Sequence, residues 1–102
     1  MKENEKNIIS VKQYENFEIK RQSNPSTGYK WYVEYDSSFI KLLSQQYISS
    51  DMKLGSGGYD QYLFRSLRIG STSIKFIYKK TWEEKDITAE SLTILIKINT
   101  TL

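Results

Sequence analysis

Apolar side chains recur at every second position through most of this chain: Phe17 and Ile19; Tyr29, Trp31, Val33 and Tyr35; Ile74, Phe76 and Tyr78; Leu92, Ile94, Ile96 and Ile98. A period of two puts those side chains on one face of an extended strand, whereas a helix would repeat at three or four. Isoleucine, tyrosine, phenylalanine, tryptophan and valine also suit a pleated, half-buried surface. The pattern predicts strands at about 8–12, 15–21, 29–35, 45–49, 60–69, 72–79 and 91–99. Helical spacing occurs only in Ser37 to Leu43, through Phe39, Ile40 and Leu43, so one short helical turn is expected there.

Seven short strands in 102 residues predict an all-β, immunoglobulin-like antiparallel β-sandwich. A small closed barrel has the same periodicity and stands as the alternative. Three of the five glycines fall within Gly55-Ser56-Gly57-Gly58 and proline occurs once, so no linker divides the chain. Residues 1–102 are therefore expected to form one domain, with residues 1–7 as a flexible N-terminal extension.

The chain has no cysteine and no histidine. That removes thiol nucleophiles, Ser-His and Cys-His pairs, disulfides and the usual structural zinc site, so the sandwich must be held by packing and an enzyme is not expected. No cofactor or metal is expected either. The net charge of +3 arises from 15 basic and 12 acidic side chains that form no block, which permits an acidic partner without requiring one. Met1 to Lys6 is followed by no apolar run of the roughly 7 to 15 residues of a signal peptide, which fits a cytosolic protein or a mature secreted, lysosomal or periplasmic form. No apolar stretch approaches the ~20 residues of a membrane helix, so no membrane partner is expected.

Three connections break the alternation. In Asn24-Pro25-Ser26-Thr27-Gly28-Tyr29, proline fixes its own φ and holds Asn24 extended, Asn24 and Ser26 can hydrogen-bond nearby backbone, and Gly28 can take a positive φ. The expected loop is stiff, and a plain tight turn is the simplest account of it. Gly55-Ser56-Gly57-Gly58-Tyr59 precedes a strand rather than opening a helix, so it is no phosphate loop; it is either a backbone surface another chain can approach or a permissive hairpin end. In Lys79-Lys80-Thr81-Trp82-Glu83-Glu84, the tryptophan either folds over the core edge or is an exposed binding anchor, and its four charged neighbours favour the anchor. Glu83 and Glu84 read as solvated charges rather than an acid/base pair.

In this order and spacing, NPSTGY, GSGGYD and KKTW resemble the three loops of the chagasin family of cysteine-protease inhibitors, which are built on an immunoglobulin-like sandwich. The resemblance spans Ser23 to Glu83. Ser26 stands where that family usually has threonine, and Lys80-Thr81 where it has Arg-Pro, which exchanges a planar guanidinium and a rigid ring for more flexible groups. The resemblance implies a reversible, tight-binding inhibitor whose partner is a papain-like cysteine protease, cathepsin L-like or related. It further implies that Asn24 to Gly28 faces the catalytic cysteine, with Tyr29 following. Gly55, Ser56, Gly57, Gly58 and Tyr59 would then lie along the substrate strand, with Lys80, Thr81 and Trp82 on the far side of the cleft. A monomer is expected when free.

Two other classes compete. Eight tyrosines and two tryptophans on a basic all-β chain could form a single-stranded nucleic-acid-binding barrel. Against it, Tyr29, Trp31 and Tyr35 share parity with core positions and no lysine or arginine cluster surrounds them, so no nucleic-acid partner is expected. A structural or adhesive sandwich with unremarkable loops is the remaining reading.

Overall fold

The computed structural model describes residues 7–49, 57–80 and 90–100. Its strands are β1 (Ile8–Lys12), β2 (Asn16–Ser23), β3 (Tyr29–Tyr35), β4 (Ile40–Ser49), β5 (Gly58–Ser66), β6 (Gly70–Lys80) and β7 (Glu90–Asn99). One sheet has the order β1-β7-β6-β3 and the other β2-β5-β4, so the chain is a two-layer sandwich and not a closed barrel. Of the expected N-terminal extension, only Asn7 lies within the described residues, and its carbonyl accepts a hydrogen bond from Leu95 N–H at 2.9 Å.

The alternating residues meet between the layers. Phe17 and Ile19 of β2, Tyr62 and Phe64 of β5, Ile74 and Phe76 of β6, and Ile94, Ile96 and Ile98 of β7 are buried, with Val11 and Ile40 closing the cluster. Aromatic rings bridge the sheets edge to face: Tyr62 to Phe76 at 5.1 Å and Tyr35 to Phe64 at 5.6 Å between centroids. Such contacts add to the area term that dominates a core of this kind.

One strand pair departs from the antiparallel expectation. β1 runs parallel to β7, with Ile8 opposite Leu95 and Lys12 opposite Asn99. The turn after β1 does not fold back as a hairpin but carries the chain into the other sheet. Gln13 N–H donates to Asn99 O at 2.7 Å on one sheet, and Tyr14 N–H to Ser66 O at 3.0 Å on the other. Ser66, fully buried, completes the join by donating its hydroxyl to Lys12 O and accepting from Glu15 N–H. These bonds satisfy the polar atoms of the crossing.

The short turn expected within Ser37 to Leu43 is confined to its first three residues. A single turn spans Ser37 to Phe39, and β4 already begins at Ile40, five residues before the expected start at 45. Asp36 closes the turn: its carboxylate accepts from Ser38 N–H at 2.9 Å and Ser38 Oγ–H at 2.7 Å. Ile40 then enters the core opposite Ser66. A β-bulge between Leu42 and Ser44 skips Leu43, which is left outside the register. That extra residue breaks the period of two, and so the sequence mimicked helical spacing here.

Candidate functional site

Pairing brings the strand ends that flank all three unusual segments to one end of the sandwich. Gly58 is opposite Ser23 on one side and Ser49 on the other, while in the other sheet Tyr29 is opposite Lys80 and Tyr78 opposite Glu90. The crossing at Gln13 and Tyr14 occupies the opposite end, where Asn16 pairs with Arg65.

Between β2 and β3 the chain passes from the three-stranded to the four-stranded sheet through a single 3-10 turn, Pro25–Thr27. Asn24 is extended (φ −139°, ψ 94°), as a residue before proline should be. Its Oδ1 accepts from Ser26 N–H at 3.2 Å and from Ser26 Oγ–H at 2.7 Å. Its carbonyl accepts from Thr27 N–H at 3.1 Å and from Thr27 Oγ1–H at 2.8 Å. Gly28, in the left-handed region at φ 87°, donates to Pro25 O at 3.1 Å, and Tyr29 N–H donates to Thr27 Oγ1 at 3.3 Å. Every backbone donor from Ser26 to Tyr29 is therefore used inside the loop, while Pro25, Ser26 and Thr27 remain exposed.

Two aromatic residues hold the feet of this loop. The Trp31 indole on β3 donates its Nε1–H to Gln22 O on β2 at 2.7 Å, tying the two sheets together directly beneath the turn. Tyr78 stacks against Trp31 at 4.6 Å and Tyr29 at 5.2 Å, and its hydroxyl accepts from Asn24 N–H at 3.4 Å. Arg21 lies over the other part of the indole, 5.1 Å from the ring centroid. Gly57 touches the same foot. At φ 83° it lies so close that a Cβ there would stand 3.2 Å from Ser23 O and 3.5 Å from Asn24 Cβ.

The space between the sheets turns polar toward this end. Arg21 and Asp60 sit opposite each other on β2 and β5. Burial pushes the Asp60 carboxyl above its ordinary value, against the opposing pull of the Ser23 hydroxyl and the Lys30 charge. Burial likewise lowers the Arg21 guanidinium, with the Tyr62 side chain opposing. The Tyr62 hydroxyl is pushed up to about 12, first by burial and then by Asp60, so it stays protonated at neutral pH and accepts from Gln45 Nε2–H at 3.4 Å. Arg21 lines one hollow at the foot of the loop, with Gln22, Asn24 and Trp31, and Asp60 lines another, with Pro25, Gly28 and Tyr29. Among the described residues no group of three or more carboxylate, imidazole or thiol side chains could hold a metal.

Of the residues singled out by sequence, Asn24, Pro25, Ser26, Thr27, Gly28 and Tyr29 form the turn and its exit, and Gly57 packs on its first residue. Gly58 and Tyr59 belong to β5, which starts two residues earlier than expected. Lys80 ends β6 with its Nζ 5.8 Å from the Tyr29 ring centroid. Gly55, Ser56, Thr81 and Trp82 lie outside the described residues. Trp31, Tyr78 and Gln22 were not singled out. Parity placed the two aromatics on the inner face, but a carbonyl acceptor on a neighbouring sheet leaves no mark in a sequence.

A family model for chagasin family peptidase inhibitors matches residues 10–98. The chain is 30% identical to Amoebiasin-2 of Entamoeba histolytica over 83 residues, 78% of this chain and 68% of that protein. It is 28% identical to Chagasin of Trypanosoma cruzi over 88 residues, 80% of each. Among solved structures it is similar to the cysteine protease inhibitor EhICP2 from Entamoeba histolytica, with a TM-score of 0.74 at 24% identity over 90% of this chain and 85% of that one. The solution structure of Amebosin matches with a TM-score of 0.67 at 26% identity, over 92% and 88% of the two chains.

Two outcomes follow from the geometry. Trp31→Phe keeps a ring but removes the donor to Gln22. It should cost about 1 kcal/mol of stability, the usual net worth of one hydrogen bond, in chemical denaturation. Amide exchange at Ser26 to Tyr29 should quicken while Tyr62 and Phe64 keep their protection. Asp60→Asn mimics the protonated carboxyl that burial favours. It should raise the melting temperature at neutral pH, with the gain shrinking as pH falls through the raised value of Asp60 and vanishing below the ordinary 3.8. A loss of stability at neutral pH would contradict the direction of that shift.

Proposed function

The chain belongs to the chagasin family of cysteine protease inhibitors, and from that premise we propose that it inhibits papain-like proteases reversibly and tightly by seating the loop end of its sandwich in their active-site cleft. The observation that carries the reading is the self-bonded 3-10 turn at the end of the molecule where the flanks of the other two segments meet. A papain-like protease takes its substrate as an extended strand, with main-chain groups pairing along the cleft. Pro25 to Thr27 is not extended, and its backbone donors are already used within the loop. A nucleophile reaching this turn meets bulk without a carbonyl held in attack geometry, so the loop blocks the site and is not cut.

Tight binding follows from the same bonds. Ordering a free loop on association costs free energy that this loop has largely spent on folding. Gly57, Gly58 and Tyr59, with Gly55 and Ser56 before them, give the substrate-strand side a backbone that can approach closely. Lys80, Thr81 and Trp82 flank the other side, with the tryptophan as the aromatic anchor. The partner is a cathepsin L-like or related enzyme, and the inhibitor contributes no catalytic group.

Titrating papain at limiting enzyme tests this reading. Activity should fall linearly to zero at one chain per enzyme, competitively with substrate, and trypsin should be unaffected. Replacing Pro25, Ser26 and Thr27 together by glycine should weaken inhibition by about tenfold or more through restored loop freedom, with the strand content unchanged by circular dichroism. Full papain and cathepsin activity at micromolar inhibitor would overturn the proposal.

A further inference from the structure

The inward positions of β2 are Phe17, Ile19, Arg21 and Ser23, so an arginine takes a place where the alternation calls for an apolar side chain. Its surroundings make the choice costly. The Arg21 Nε is buried and has no hydrogen-bond partner among the described residues. Burial lowers the proton affinity of the guanidinium, and the group opposing that shift is the Tyr62 side chain rather than a carboxylate. A buried donor without an acceptor costs folding free energy and calls for an explanation. What the guanidinium does meet is an aromatic face: its Cζ lies 5.1 Å from the centroid of the Trp31 ring.

That indole is held from two sheets. Tyr78 stacks on it at 4.6 Å and Phe76 meets it at 6.2 Å and 83°, and both belong to β6, the neighbour of β3 in its own sheet. Arg21 comes from β2, the strand whose Gln22 carbonyl accepts the indole N–H at 2.7 Å. Two consecutive residues of β2 thus grip the ring, Arg21 over its face and Gln22 at its donor edge. An indole N–H lies in the ring plane, so a contact that fixes the plane also aims the donor. The ring quadrupole draws a cation to the face, whereas an apolar side chain packs against face or edge alike.

We infer that Arg21 is a positioning residue of the inhibitor: it holds the plane of Trp31 so that the indole bonds Gln22 and fixes the foot of the Asn24 to Gly28 loop, at a cost in folding stability. Gln22 stands two residues before Asn24, so an indole turned away from β2 would release the strand end from which the loop springs. Arg21 acts through Trp31 and needs no contact with the protease. The consequence for inhibition rests on the proposed function; the consequence for the loop does not.

Arg21→Met keeps much of the side chain's length and removes its charge and its unpartnered donor. The melting temperature should equal or exceed that of the parent. Amide exchange at Ser26 to Tyr29 of the free chain should quicken by about tenfold, the worth of a cation–π contact, while Tyr62 and Phe64 keep their protection. Papain inhibition should weaken by a similar factor. Arg21→Lys, which keeps a cation without the planar fork, should recover part of both losses. In a Trp31→Phe background Arg21→Met should add nothing to either loss, because the donor that Arg21 aims is gone. A lower melting temperature for Arg21→Met, an Arg21→Lys form no better than it, or losses that add in the double variant would overturn the inference. Loop exchange is read without a protease. Failure of the inhibitor reading, seen as full papain activity with the parent, is therefore distinct from failure of this one, seen as unchanged loop exchange in Arg21→Met.

Discussion

Between Ser23 and Tyr29 the chain leaves one sheet and enters the other, and the five residues it spends there must satisfy their backbone without either sheet's ladder. Asn24 carries most of this: its side chain and its carbonyl together take two backbone and two hydroxyl donors. The proline that opens the turn removes one donor that would otherwise need a partner and sets φ for the 3-10 geometry. Gly28 then reverses the path with a left-handed backbone that most side chains resist. The exposed loop thus satisfies its own backbone donors without either sheet's ladder.

What fixes the loop in space is the layer beneath. The Trp31–Gln22 bond and the Tyr78 stack join β3 and β6 of one sheet to β2 of the other at the level where the turn begins. Gly57, the residue before β5, lies against the same point. The sandwich core, built on Phe64, Phe76 and their isoleucine neighbours, supplies two layers, and this aromatic join ties them together at the loop end. Arg21 and Asp60 lie within that layer at a cost reflected in their displaced proton affinities.

Much of this was legible in the sequence because strand periodicity is local. The inner faces of β2, β3, β6 and β7 follow from alternation, and the turn at Asn24 to Gly28 follows from the conformational limits of proline, asparagine and glycine. The start of β4 was not legible, since the turn at Ser37 to Phe39 followed by one bulged residue at Leu43 reads as helical spacing over seven positions. The parallel pairing of β1 with β7 was hidden for a different reason: strand partners far apart in sequence leave no periodic trace. The foot of the loop combined the two cases. Trp31 and Tyr78 were visible as inward-facing aromatics, while their partner atoms on β2 became apparent only when the layers were assembled.

The central claim is that the loop end of the sandwich is the surface that meets the protease. Amide hydrogen exchange of the chain, alone and bound to papain whose active-site cysteine has been blocked by a small reversible group, addresses it directly. The account predicts added protection at Ser26 to Tyr29 and at Gly57 to Tyr59, and none at Gln13 to Asn16 or Leu67 to Ile69 at the opposite end. Protection confined to that opposite end, with exchange at Ser26 to Tyr29 unchanged in a formed complex, would contradict it.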